Sequence, residues 1–356
     1  MKKKSLSAKK TIPNKFDFIK ILKNRKIFET YKEFAKEFES LNFSNKIAVA
    51  ISGGPDSIAL SFLISCYRFK KNPKIQPFFY LVDHGLRQES SKEAKLVKYY
   101  FKQKKMNLKI LKWTGKKPIS NLQGLARQIR YSLLFNQCKK YKISTILTAH
   151  HQDDLYETFF SRLLRGSGTE GLASFAEKEK KFIFRGNSII ILRPLIRFNK
   201  EKLKYIARKV FNFYVDDPSN EMEKFQRVRL RKLISKFKNE GLDFNKLTLT
   251  LNNLASSNKT INDIVDKNIS ENVNFQKNKY LINFLFFLYP NEIVFRSFSV
   301  LIKKISKKDY PPRGKKLSKL IKELKTINQF KTTLGGTIIE KIQNSVVLTQ
   351  EKTKKR

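Results

Sequence analysis

The strongest constraint on this chain is an alternation of short apolar runs with segments of helical spacing between Lys46 and Lys238. KIAVAIS (46–52) is followed by SIALSFLISCYRF, and FFYLVDHGL (78–86) by a helix-spaced stretch at Ser91–Lys104. NLKILKW (107–113) precedes LQGLARQIRYSLLFNQCKKY, ISTILTA (143–149) precedes DDLYETFFSRLLR, and SIIILRPLI (188–196) closes the series. Runs that are apolar throughout, rather than alternating, need cover on both faces, and the intervening helices supply it. The expected fold is α/β, a doubly wound, Rossmann-like parallel sheet. Before it, residues 1–45 read as a basic N-terminal extension with helical spacing at Phe28–Leu41. After it, residues 239–356 read as a smaller, basic α+β region. There the spacing is helical at Phe295–Ile305 and Leu317–Leu324, and the tail TTLGGTIIEKIQNSVVLTQEK reads as a hairpin around QNS.

Charge narrows the partners. Lys and Arg number 75 against 30 Asp and Glu, a formal net charge of +45 over 356 residues. That excess favours a nucleic-acid partner, since each cation facing a phosphate releases condensed counterions. Enrichment in Lys, Asn, Ile and Phe is also what an AT-rich gene produces, so part of the charge has a compositional origin. With 40 % hydrophobic residues and 30 Phe, the chain can build a core, which excludes a wholly disordered protein. Cys66 and Cys138 form no C-x-x-C and no disulfide framework. The longest apolar stretches, Ser57–Cys66 and Tyr280–Tyr289, fall short of the roughly 20 residues a spanning helix needs. The lead MKKKSLSAKKTIPNK has no apolar run behind it and does not read as a secretory signal. The expectation is a cytoplasmic protein with no membrane segment.

The first run ends in Ser52-Gly53-Gly54-Pro55-Asp56-Ser57. Glycines between a strand and a helix let backbone amides turn toward a phosphate, and the helix N-terminus adds positive potential. Pro55 suits the first helical turn. Asp56 would repel a bare phosphate and makes better sense holding Mg²⁺ between phosphates. No G-x-x-x-x-G-K-[ST] occurs, so this is not a Walker loop. Gly, Pro, Asp and Ser are also favoured in ordinary strand-to-helix turns.

Residues at the carboxyl ends of parallel strands line the binding crevice. VDHGLR therefore directs Asp83, His84 and Arg87 toward the same cleft. Arg127 and Arg130 are i, i+3 neighbours on one helix face, a clamp for phosphates. In AHHQDDLYET, His150, Asp153, Asp154 and Glu157 are spaced to share one side of a helix start. They could hold a metal, orient an amine or accept its proton, or simply complement the helix dipole. All three histidines of the chain (His84, His150, His151) fall in these two strand-end segments. GSGTEG at 166–171 follows a helix rather than a strand, so it fails the context of a dinucleotide-binding loop and reads as a loop near the site.

SGGPDS resembles the PP-loop of the ATP-pyrophosphatase superfamily, whose members cleave ATP between its α and β phosphates. Taken with VDHGLR, the ARQIRY helix, AHHQDDLYET and RLLRGSG, the chain resembles the tRNA(Ile)-lysidine synthase family through roughly residues 46–235. ILRPLI, VDDPSN and FQRVRLRKLI are similar to that family's pattern too. Where the family usually shows an Arg-Asn pair, Val228 follows Arg227. RGKKLSKL and TLGGTIIE resemble its C-terminal tRNA-binding part more weakly.

The resemblance implies a PP-loop catalytic domain at 46–238 and a tRNA-binding region at 239–356. It implies ATP as co-substrate with Mg²⁺, and L-lysine joined to C2 of cytidine 34 in a tRNA(Ile) with a CAU anticodon. ATP would be held by residues 52–57, and the metal by Asp56 with Asp153 or Asp154. The catalytic set would be Asp56, Arg130, His150, Asp153 and Asp154, with His84, Arg87, Arg127, Glu157 and Arg227 binding substrate. A homodimer is left open. Three alternatives remain at this point: a PP-loop tRNA 2-thiolase, a PP-loop amide ligase making a small molecule, or a noncatalytic RNA-binding protein of the same fold.

Overall fold

The computed structural model describes residues 17–85, 89–115, 122–173, 175, 177–216, 226–276, 279–308, 312 and 314–351. Arg87, the lysine-rich first ten residues and most of VDDPSN lie outside them. The chain forms two compact units, Met1–Leu251 and Asn252–Arg356.

The first unit opens with α1 (Asp17–Ile21) and α2 (Arg25–Glu39), then β1 (Lys46–Ile51) and α3 (Pro55–Lys70). β2 (Gln76–Asp83), α4 (Ser90–Gln103), β3 (Leu108–Lys112) and α5 (Leu122–Tyr141) follow. Next come β4 (Thr145–Leu147), α6 (Gln152–Leu163), α7 (Thr169–Ala173), β5 (Glu179–Phe184) and β6 (Asn187–Leu192). The remaining helices are α8 (Lys200–Phe211), α9 (Gln226–Asn239) and the long α10 (Phe244–Asn272), within which the division between units falls.

The sheet order is β3-β2-β1-β4-β6-β5, parallel except for β5, which pairs antiparallel with β6. Side chains alternate across the sheet. Ile47, Val49 and Ile51 of β1 join a core with α2, α3, α4 and α8, whereas Ala48 joins Leu134, Phe135 and Cys138 of α5 on the other face. Both faces are therefore dry, as the unbroken apolar run of β1 requires.

The chain builds outward from β1 through β2 to β3, then returns to place β4 on the other side of β1. That reversal opens a crevice beyond the carboxyl ends of β1 and β4, where ligands bind in doubly wound folds. The loops leaving those two strands carry Ser52–Ser57 and His150–Asp154.

The edge strand β5 corrects the five-strand reading. Its sequence EKKFIF carries three charges before any apolar residue, a pattern that an exposed edge tolerates and a central strand does not.

The second unit contains β7 (Val273–Gln276), β8 (Lys279–Asn283), a 3₁₀ turn at Phe284–Leu288, α11 (Asn291–Ser306) and α12 (Gly314–Thr326). β9 (Gln329–Leu334), β10 (Thr337–Ile342) and β11 (Ser345–Gln350) complete an antiparallel sheet of order β7-β8-β11-β10-β9. Leu301, Ile302, Leu317 and Leu320 of the helices share a core with Ile339, Val346 and Leu348 of the sheet. The hairpin at QNS is β10–β11. A second hairpin, β9–β10, turns on Gly335 and Gly336, at φ of +66° and +88°.

Candidate active site

The loop after β1 is fixed by its own serines. The Ser57 hydroxyl donates to the Gly54 carbonyl (2.9 Å) and accepts from the Ser52 amide (3.2 Å), while the Gly54 amide donates to Ser52 Oγ (3.3 Å). Gly53 has φ +89°, and a Cβ there would meet Val97 Cγ2 at 3.0 Å and Val215 Cγ2 at 3.2 Å. Its carbonyl accepts from the Val215 amide (2.9 Å). Glycine is required on both counts. Helix α3 begins with Gly54 as N-cap and Pro55 at N1, and no side chain among the described residues caps it. Its first-turn amides are left for an anion, and the helix dipole adds attraction.

A cavity of about 570 Å³ lies over this loop. Ser52, Asp56 and Ser57 line one side, Asp83 and His84 a second, Arg127, Arg130 and Tyr131 of α5 a third, and Thr148, His150 and Asp154 a fourth. The structure thus brings the motifs read from sequence to one chamber. Asp153 and Glu157 do not line it.

His151, absent from the sequence-based set, ties the two loops together. It is the N-cap of α6, and its Nδ1 accepts from the Asp153 amide (3.2 Å). The ring proton therefore belongs on Nε2, which lies 3.5 Å from Asp56 Oδ2 and 3.7 Å from Asp154 Oδ2. Burial pushes the imidazole pKa down, but the hydrogen bond to Asp56 and the charges of Asp154, Asp56 and Asp153 outweigh it, and the net shift is upward. Burial raises the Asp154 carboxyl, but the charges of His151 and His150 reverse this, and its pKa ends below the ordinary value.

His150 turns the other way. Its Nδ1 meets Thr148 Oγ1 at 2.9 Å, and its ring sits edge-on to Phe175 at 5.4 Å. Burial, opposed by Asp154 and reinforced by Arg193, Arg127 and Arg227, lowers its pKa to about 4, so the ring is neutral at pH 7. Arg227, on α9, thus acts on the site through its field. Beside it Val228 is buried, so the position where the family usually carries Asn faces the interior here.

Asp83 accepts from the Gly85 amide (3.0 Å), Ser90 Oγ (2.9 Å) and Ser91 Oγ (2.5 Å), which makes it a brace for the loop after β2. Both ring nitrogens of the neighbouring His84 are buried without a hydrogen-bond partner among the described residues. Burial and then the Arg130 charge lower the His84 pKa, against Asp83. Glu157, 2 % exposed, pairs with Arg231 Nε at 2.5 Å and has a raised pKa because burial outweighs the arginine. Its Oε2 has no partner among the described residues.

Among the described residues no group of three or more His, Cys, Asp or Glu forms a metal site on its own. A cation held jointly by protein and phosphate needs fewer protein ligands. Asp56 Oδ1 is buried without a partner among the described residues, and Asp154 reaches the same histidine, so this carboxylate pair fits Mg²⁺ completed by phosphate oxygens and water.

The PP-loop domain family matches residues 23–237, which include every element of this cavity. The chain belongs to that family of ATP-using proteins. It is 34 % identical over 316 residues to a tRNA(Ile)-lysidine synthase of Wolbachia sp. subsp. Brugia malayi, covering 88 % of this chain and 72 % of that protein. A tRNA(Ile)-lysidine synthase of Rickettsia typhi is 32 % identical over 339 residues, 91 % of this chain and 75 % of that one. Within the PP-loop proteins the chain accordingly belongs to the tRNA(Ile)-lysidine synthase family. The fold is also that of the U34-tRNA thiolase NcsA from Methanococcus maripaludis, with a TM-score of 0.53, 18 % identity, and 68 % of this chain and 80 % of that one covered.

Proposed function

We propose that this chain joins the ε-amine of free L-lysine to C2 of cytidine 34 in a tRNA(Ile) with a CAU anticodon, consuming ATP and releasing AMP and pyrophosphate. The observation that supports it best is the meeting of an uncapped, glycine-shaped helix N-terminus with Asp56, Asp154, His150 and two arginines around one cavity, in a chain of this family.

In this reading the amides of residues 52–57 receive the departing pyrophosphate. The cytidine C2 oxygen attacks the α-phosphate, the bond to the β-phosphate breaks, and an adenylated cytidine remains. Arg130, with Arg127, stabilises the negative charge that builds on the phosphates. Asp56 and Asp154 would hold Mg²⁺, which supplies charge neutralisation when bound. Asp153 contributes through its amide, which orients His151, rather than as a ligand.

Lysine then attacks C2 and expels AMP. Its ammonium (pKa about 10.4 in water) must first lose a proton. His150 is neutral and can accept a hydrogen bond from the amine. Phosphates bound at Arg127 offset the positive field that depresses its pKa and make the ring a better base. Glu157, buried outside the cavity and paired with Arg231, supports α6 from behind rather than meeting the substrate. Cytidine 34 must leave its stack to enter, which an exposed anticodon loop makes cheap. His84, Arg227 and the basic surfaces of both units, including residues 239–356, bind the RNA. The same reading admits a homodimer.

A sulfur-transfer reading finds less support. Cys66 and Cys138 are buried, burial raises both thiol pKa values, and neither lines the cavity. The test is to incubate the purified chain with ATP, labelled lysine and an unmodified tRNA(Ile) transcript. Label should appear on the RNA only with ATP present. RNA that stays unlabelled, or gains sulfur from a sulfur donor instead, overturns the reading.

A further inference from the structure

We propose that the β5–β6 hairpin and the first turns of α5 form a shelf for the nucleotide next to the reacting base, gripping its phosphate and stacking on its ring. The inference rests on the RNA-modifying role proposed above and assigns a second binding site beside the cavity.

The shelf is a pair of neighbouring rings with a cation over each end. The Arg127 guanidinium lies 5.1 Å from the Tyr131 ring centre. Tyr131 and Phe182 lie 6.3 Å apart at an interplanar angle of 21°, and Lys180 Nζ is 5.5 Å from the Phe182 ring. Arg127 and Tyr131 also line the cavity, so the shelf starts at its mouth and runs outward onto the edge strand.

Positive charge outnumbers acid here, with Lys180, Arg193, Arg162 and Arg127 around Glu177. Partial desolvation, then the like charges of Arg193, Arg162 and Arg127, hold the Lys180 ammonium below its ordinary pKa, against Glu177. Arg193, 5 % exposed, donates to the Phe175 and Glu177 carbonyls, and its Nε is buried without a partner among the described residues. Beyond the shelf, Ile183 is 79 % exposed and Arg185 lies over Phe184 at 5.3 Å.

Lysines on an edge strand also prevent unwanted strand pairing. That role does not call for half-buried rings beneath the lysine, nor for arginines massed behind it. Rings flanked by cations are what single-stranded nucleic acid binds, base on ring and phosphate on cation. The anticodon nucleotides flanking position 34 have this chemistry and must lie near the cavity when that base reacts.

The experiment compares the full chain with Lys180→Gln and Phe182→Leu. It measures affinity for a CAU anticodon stem-loop RNA across a salt series, ATP affinity, and KM for tRNA against kcat. Lys180→Gln is expected to weaken stem-loop binding about fivefold and to lower the slope of log K against log salt by about 0.7. Phe182→Leu is expected to cost about fivefold or more with little change in that slope. Both should raise KM for tRNA while kcat and ATP affinity stay within about twofold. Since Phe182 touches the core, Lys180→Gln keeps the test decisive if Phe182→Leu melts early. Unchanged stem-loop affinity in Lys180→Gln overturns the shelf, as does a loss of ATP affinity instead. In either case, a wild-type chain that still adds lysine to tRNA leaves the proposed function standing. A wild-type chain that binds neither the stem-loop nor whole tRNA(Ile) overturns both.

Discussion

His151 Nε2 lies 3.5 Å from Asp56 Oδ2, joining the helix that follows β4 to the loop that follows β1. The two strands are adjacent and parallel, so this contact closes the crevice at the reversal of strand order. It aims Asp56 without consuming its Oδ1, which stays available to a ligand.

Gly53 is the position where the loop tolerates no side chain. Gly53→Ala places a Cβ at φ +89° and 3.0 Å from Val97. A strain of about 1–3 kcal/mol is expected, with a lower melting temperature and ATP affinity reduced at least tenfold. Calorimetric titration with ATP checks this. Unchanged affinity would mean the loop does not shape the phosphate site.

Arg231→Met leaves Glu157, 2 % exposed, without its partner. Loss of a partner at a buried carboxylate is expected to cost about 3 kcal/mol in chemical denaturation. Glu157→Gln should cost less, because it removes the charge along with the need for a partner. The reverse order would contradict the pairing.

His150 makes stability depend on pH in a defined window. Its folded pKa, about 4, is below the unfolded value near 6.5, so between the two the unfolded chain binds more protons. Stability therefore rises with pH across that window and falls as pH drops from about 6.5 to about 4. Relative to the wild type, His150→Gln should flatten the dependence there and leave it unchanged above pH 7. Denaturant midpoints measured with the ligand-free protein at each pH read this directly.

Much of this site was readable before the fold, and the misses have local causes. SGGPDS shows its role because glycine, proline and carboxylate each meet a separate demand of a strand-to-helix turn over phosphate. His84 and His150 stand at strand ends, where side chains must face the crevice. The sequence does not single out His151, because adjacent residues at a cap point apart and only the cap geometry shows it turning to Asp56. Asp153 and Asp154 are one helix position apart, about 100° around the axis, so only Asp154 lines the cavity. Arg231, 74 residues from Glu157, is found only once α6 and α9 pack. Strand β5 stayed hidden because an edge strand may be charged.

In the proposed reaction, the cavity above Ser52–Ser57 activates an RNA carbonyl by adenylation before lysine enters. Incubating the chain with tRNA(Ile) transcript and ATP labelled at the α-phosphate, without lysine, tests it most directly. The account predicts label on the RNA that leaves as AMP when lysine is added, and a loss of at least about 10³-fold in that labelling with Asp56→Ala while tRNA affinity is nearly unchanged. An α-phosphate that never reaches the RNA, in a preparation that still joins lysine to it, would contradict the account.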